Sequence, residues 1–318
     1  MESFLKHLNV FSLVLFFFAL PISSALQVGF YSSSCPNTEN IVRQVVQQRF
    51  NADKSVAPAL LRMFFHDCFI RGCDASILID STTTNQAEKA AGANGSVREY
   101  ALIDQIKTAL EQACPQKVSC ADIIALATRD AVSLSGGPMY SVPTGRLDGT
   151  ISRASEVNLP GPASTVSQIQ QAFSARKMTL NDMVILVGGG HSIGRAHCNF
   201  FQDRVFNFQG TSKPDPTMDK NLLTKLQNLC SLTFNPATFL DQNTTVVLDN
   251  EVYNQMKKNK GILQIDQELA LDPLSASIVS SLAANNKLFR QSFVNSMIKM
   301  GNLPGTGGEI RKNCRRQN

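Results

Sequence analysis

Hydrophobic positions recur at three- and four-residue spacing along most of the chain. The segments 40–50 (NIVRQVVQQRF), 58–68 (PALLRMFFHDC), 100–113, 120–134 (CADIIALATRDAVSL), 165–176, 180–187, 219–230 and 286–300 each gather apolar side chains on one face of a 3.6-residue helix. Alternating strand patterns are scarce. The fold class this predicts is mostly α with little β. Thr179 and Asp182 form a capping box that opens the 180–187 helix, and Gly188-Gly189-Gly190 reads as its end. Gly- and Pro-rich stretches near 136–149 and 158–162 divide the helices into two halves, 26–150 and 151–285. No internal repeat or low-complexity tract interrupts them.

One segment lacks the helical period. Val10 to Leu20 is almost continuously apolar, follows Lys6 and His7, and is broken by Pro21 before Ser23-Ser24-Ala25. That is the layout of a secretory signal peptide over 1–25, and the run is too short to span a bilayer. Secretion is the expected fate, with no membrane association. Hydrophobic residues at 43% and charged residues at 17% exclude an intrinsically disordered chain. The net charge of +5, from 30 Lys and Arg against 25 Asp and Glu, implies weak affinity for acidic surfaces. No basic run suggests a nucleic-acid arm.

The cysteines and histidines carry more information. All eight Cys lie beyond residue 25, and an oxidising compartment favours four disulfides. Eight cysteines allow 105 pairings, among which spacing cannot choose. No C-x-x-C pair occurs, which counts against a zinc ribbon or a thioredoxin-like site. Signal cleavage leaves three histidines: His66, His191 and His197.

Arg62 and His66, four residues apart on one helix, project from the same face. Adjacent guanidinium and imidazole groups disfavour a charged His66 and fit it to act as a base. Alone, such a pair is more often a surface Arg beside a half-buried His. Asp67, Asp74 and Ser76 then surround the short Cys68-to-Cys73 loop with hard oxygen ligands of the kind Ca²⁺ takes. In GGGHSIGRAHC, His191 stands beside glycines that let its ring approach a flat cofactor, though a helix C-terminal His stabilised by the dipole fits equally. His197 carries no comparable context. Asp241, Thr244 and Asp249 have the spacing of a second oxygen-rich loop, a pattern that ordinary polar turns also produce.

RMFFHDCFIRGCDASILID, VSCADIIALATRDAV, VPTGRLDG, NLPGP, GGGHSIG, LDNEVY and GILQIDQEL occur together and in order. This set closely resembles the secretory (class III) plant haem peroxidases, from about Gln27 to Cys314. The resemblance implies a two-part helical fold with one haem b between a distal and a proximal half, and two Ca²⁺ ions. It implies a monomer that reduces hydrogen peroxide and oxidises small phenolic donors in one-electron steps. His66 matches the distal acid–base histidine, Arg62 the transition-state-stabilising arginine and Phe65 the aromatic residue over the haem. Asn94 matches the asparagine that keeps the distal histidine basic, placed by counting from Glu88, the next member of that network. His191 matches the iron ligand and Asp266 the carboxylate on its other ring nitrogen. The distal calcium set is Asp67, Ile70, Gly72, Asp74 and Ser76; the proximal set is Ser192, Asp241, Thr244, Val247 and Asp249. Pro160 matches the proline at the donor site. The implied disulfides are Cys35–Cys114, Cys68–Cys73, Cys120–Cys314 and Cys198–Cys230, which tie segment 286–318 back to the first half. Asp122 and Arg146 match a buried ion pair. Departures are Leu147, where arginine is usual, and Glu99, where glycine is common; Ala163 and Ser164 lack the bulky aromatics of some relatives. An inert wall protein of this fold or a cofactor-free calcium module would not need Arg62, His66, His191 and Asp266 together.

Overall fold

A computed structural model describes residues 25–318; the expected signal peptide falls almost wholly outside them. The described helices, in order, are α1 (Thr38–Ala52), α2 (Val56–Arg71), α3 (Tyr100–Ala113), α4 (Cys120–Leu134), α5 (Val166–Ala175), α6 (Leu180–His191), α7 (Gln202–Phe206), α8 (Lys220–Cys230), α9 (Glu251–Lys257), α10 (Gln264–Leu271), α11 (Ala276–Ala284) and α12 (Asn286–Gly301). Two three-residue strands, β1 (Arg195–His197) and β2 (Ala237–Phe239), pair antiparallel with Ala196 opposite Thr238. The mostly α class predicted from periodicity is the class observed.

Helix α4 is the central strut. Its residues are buried from Cys120 to Val132, and α1, α2 and α3 pack around it. A helix buried on every side must pair its polar groups internally. Asp122 does so by accepting from Tyr31 Oη at 2.6 Å and Arg146 Nη1 at 2.7 Å. Thr128 Oγ1 donates to Leu60 O at 3.2 Å, and Arg129 pairs with Glu39 at 3.0 Å. In the second half α6 is the strut, against α5, α9 and α12.

Four disulfides join Cys35 to Cys114, Cys68 to Cys73, Cys120 to Cys314 and Cys198 to Cys230, the pairs implied by the resemblance. The Cys120–Cys314 bond closes 194 residues and pins the C-terminal segment to α4. Constraining so long a loop in the unfolded chain contributes on the order of 4–5 kcal/mol. Fully buried Arg311 reinforces this tie, donating to Ala75 O at 2.7 Å and Cys314 O at 2.9 Å.

The structure corrects one boundary. The three glycines do not end α6, which continues to His191. A Cβ at Gly188 would collide with the Tyr253 ring, and one at Gly189 would lie 2.6 Å from Phe293 Cδ2. These glycines serve close packing of α9 and α12 on α6, and the helix tolerates them because it is held from both sides.

Candidate active site

The site is built on the partly open faces of two otherwise buried helices. Arg62 is the exposed residue of α2, flanked on its face by half-buried Pro58 and Phe65. On α6, Val187, Gly190 and His191 are half-buried. The two faces converge where a Cβ at Gly194 would lie 3.0 Å from Pro58 Cβ.

On α2, His66 is 4% exposed, and its Nδ1 lies 2.6 Å from Asn94 Oδ1. Asn94 is oriented in turn by donating Nδ2 to Glu88 O at 2.8 Å. An amide oxygen accepts only, so His66 carries its proton on Nδ1 and leaves Nε2 as a free base. Burial drives the His66 pKa from 6.5 to about 3; the Arg62 guanidinium adds to the fall and the Asn94 bond opposes it. Arg62 donates to Ala93 O at 3.2 Å, which ties its head to the turn carrying Asn94. Phe65 lies 4.3 Å from Phe69 and 6.3 Å from Phe173, centroid to centroid.

On α6, His191 Nδ1 lies 2.6 Å from Asp266 Oδ1. Asp266 is fixed at its other oxygen by Leu263 N at 3.2 Å and is 1% exposed. His191 Nε2 has no partner among the described residues. A planar iron macrocycle would fit these faces: a free imidazole nitrogen on α6, a second imidazole on α2, and open space where a Gly190 side chain would stand.

Of the residues expected at a distal cation, Asp67, Asp74 and Ser76 meet at one turn. Asp67 Oδ2 accepts from Ala75 N at 3.0 Å, and Asp74 Oδ1 from Ser76 N at 3.0 Å. Asp67, Asp74, Ser76 and Glu88 are at most 1% exposed. Asp67 Oδ1, Ser76 Oγ and both Glu88 carboxylate oxygens have no hydrogen-bond partner. Burial, then repulsion from Asp74 and Glu88, holds the Asp67 carboxyl well above its usual range, and burial lifts Glu88 to about 7. Buried oxygens with no donor and mutually repelling carboxylates suit a hard cation. Among the described residues no three acidic, His or Cys side chains form a chelating group, so such a cation also needs carbonyl and hydroxyl oxygens. Ile70 O accepts from Arg176 Nη2 at 2.5 Å, and a side chain at Gly72, with φ of 80°, would strike Pro304 O.

In the second loop, Thr244 Oγ1 lies 3.2 Å from Asp241 Oδ2 and 3.0 Å from Asp249 Oδ1. Asp241 is fully buried, and its Oδ1 accepts from Asn243 N, Thr244 N and Gln255 Nε2. Ser192 Oγ donates to Gly189 O at 2.8 Å, whereas Val247 is 40% exposed and bonds Thr244 O through its own N. Pro160 is half-exposed in the link before α5.

Sequence reasoning missed Arg204. This fully buried side chain pairs with Asp215 at 2.8 Å and donates to the carbonyls of Gly261, Ile262 and Leu263 at 2.7–2.9 Å. It thereby clamps the turn that delivers Asp266. Its only sequence signal is a single arginine in the short α7, which no local pattern marks.

A family model described as peroxidase matches residues 42–285. Peroxidase 57 of Arabidopsis thaliana is 53% identical over 312 residues, covering 96% of this chain and 97% of that protein. Peroxidase 44 is 52% identical over 305 residues (95% and 96%), and Peroxidase 28 is 50% identical over 314 (95% and 97%), both from the same plant.

Proposed function

The chain belongs to the peroxidase family and is a haem peroxidase of the plant class III type, and from that premise we propose that His66, Arg62 and Asn94 carry its reaction with hydrogen peroxide. His191 would hold the haem iron through its free Nε2, and the bound haem would supply the electron-transfer chemistry of the reaction. Neutral His66 accepts the peroxide proton at Nε2 and returns it to the departing oxygen, which leaves as water. Arg62 stabilises the negative charge that develops on that oxygen. Asn94 holds the imidazole in the tautomer this requires. Asp266, accepting from His191 Nδ1, raises the electron donation of the ligand. The single observation that carries this reading is the pair of imidazoles, each anchored at Nδ1 by an oxygen at 2.6 Å with Nε2 left free.

One Ca²⁺ at Asp67, Ile70, Gly72, Asp74 and Ser76 is supported by the unpartnered buried oxygens there. A second at Ser192, Asp241, Thr244, Val247 and Asp249 is supported by two carboxylates sharing one hydroxyl. Small phenols are the donors, meeting the haem edge near Pro160. The enzyme is a secreted monomer of the wall space with weak affinity for acidic polysaccharide. No helix among the described residues is long and apolar enough to cross a membrane.

His66→Ala tests the central assignment. It should slow the reaction with peroxide by roughly 10²–10⁴-fold and leave the Soret band of bound haem in place. Near-normal peroxide kinetics in that variant would overturn it.

A further inference from the structure

Four lysines meet where the turn after α9 touches the start of α8. Asp219 N donates to Asn259 O at 2.9 Å. Lys220 adjoins the first residue of that contact, and Lys258 and Lys260 flank the second; Lys257 closes α9. Lys220, Lys257 and Lys258 are exposed and Lys260 is half-buried. The lysine ion pairs among the described residues belong to Lys89, Lys107 and Lys299, so these four ammoniums have no carboxylate partner there. The one acid at the contact, Asp219, caps α8 by accepting from Leu222 N at 2.9 Å.

The turn is held firmly. Lys260 N donates to Gln255 O at 2.9 Å, and Gln267 Nε2 donates to Asn259 Oδ1 at 3.2 Å. The backbones that carry the four lysines are thus held together at one contact, with no acidic partner for their charges. Such an arrangement costs self-repulsion that a polyanion relieves.

We propose that this cluster docks a carboxylated, uronic-acid polysaccharide. The inference deepens the proposed reading of a wall-space enzyme with weak affinity for acidic polysaccharide, and it rests on that reading. Lysine suits the task because it acts as a point charge and tolerates the varied geometry of carboxylates along a flexible polymer, where arginine would select planar, two-pronged partners. Nucleic-acid binding would want exposed aromatics for stacking; Tyr253, the aromatic of α9, is fully buried. Membrane binding would want exposed apolar side chains beside the lysines; none of the large exposed apolar residues adjoins one of the four in sequence.

The test uses the full-length secreted holoenzyme on immobilised polygalacturonate. Wild type is compared with Lys220→Gln/Lys257→Gln/Lys258→Gln/Lys260→Gln and with an equal-charge control, Lys54→Gln/Lys117→Gln/Lys287→Gln/Lys312→Gln. Wild type should be retained at low salt and released as salt rises. The cluster variant should bind roughly tenfold more weakly or worse, the control within about threefold of wild type. Guaiacol turnover should be the same in all three. If wild type is not retained, the polysaccharide reading itself fails and this surface with it. If both variants weaken alike, that reading stands and the surface is overturned. Tighter binding of the cluster to RNA or to phosphatidylserine vesicles than to polygalacturonate would overturn the uronate assignment.

Discussion

The acid–base role of His66 fixes how peroxide reactivity must respond to pH. Burial and the Arg62 guanidinium bring its pKa to about 3, against the opposing Asn94 bond. About 99% of the imidazole is then neutral at pH 5, about 90% at pH 4 and about half at pH 3. A histidine of ordinary pKa would be only about 3% neutral at pH 5. The second-order rate constant with hydrogen peroxide should therefore stay flat from pH 8 to about 5 and halve only near pH 3. Stopped-flow at the Soret band after a pH jump measures this before the protein unfolds. Arg62→Leu, which removes a cation, should move the midpoint upward. The same displacement acts on stability. The unfolded chain protonates His66 near pH 6.5, whereas the folded chain does not until about pH 3. The unfolded state thus binds more protons in that window, and stability falls with acidification by about 1.4 kcal/mol per pH unit. A rate constant that halves between pH 6 and 7 would refute the buried, neutral base.

Chelation of calcium should lower the melting temperature by several degrees as the Asp67–Asp74–Glu88 cluster loses its cation, and Ca²⁺ should restore it better than Mg²⁺; unchanged melting and haem absorbance after complete chelation would count against the distal site. Glu99 occupies a left-handed φ of 72° while pairing with Arg49 at 2.8 Å. Glu99→Ala loses the pair and keeps the strain, so urea titration should find it about 1 kcal/mol less stable than Glu99→Gly; equal midpoints would remove the strain argument. Arg204→Gln leaves Asp215 buried without its cation and should cost about 3–5 kcal/mol. In the holoenzyme it should also shift the iron–histidine stretch in resonance Raman spectra, because the turn before Asp266 is released; an unshifted band would leave Arg204 with a purely structural role.

The ease of reading this chain varied with the range over which each signal acts. Helices at 100–113 and 120–134 have the bounds their periodicity predicts, because each buries enough turns to impose it. The short α7, α9, α10 and α11 went unpredicted, since a five- to nine-residue helix holds too few turns for a periodic stripe. Gly188 and Gly189 misled because a glycine run looks like a stop signal until Tyr253 and Phe293 are seen against it. Arg62 and His66 were legible from local spacing. Asp266 lies 75 residues from His191, and Asn94 lies 28 from His66; only family resemblance could connect them beforehand. Counting from Glu88 picks the asparagine that the fold bonds to His66.

The location of the oxidisable side chains bears on which donors can be served. The sequence has no Trp and four Tyr. Tyr31 and Tyr253 are at most 5% exposed, and Tyr100 and Tyr140 are half-buried, so no tyrosine is fully exposed. The exposed aromatics are Phe200, Phe206 and Phe234, which have no hydroxyl to oxidise. Tyr100 is the best placed relay, yet its Oη has no hydrogen-bond partner to take the proton that oxidation releases, and burial raises its pKa to about 12. Lys89 lies 4.4 Å and Arg315 5.2 Å from its ring centre, and two cations beside the ring oppose loss of an electron. Direct contact of donors with the cofactor is then the expected route. Small phenols should turn over well, and a macromolecular donor such as a folded haem protein poorly. Tyr100→Phe and Tyr140→Phe should leave both rates within about twofold, as surface-neutral changes do. Loss of macromolecular oxidation in either variant, with guaiacol turnover intact, would establish a relay and refute direct access as the sole route.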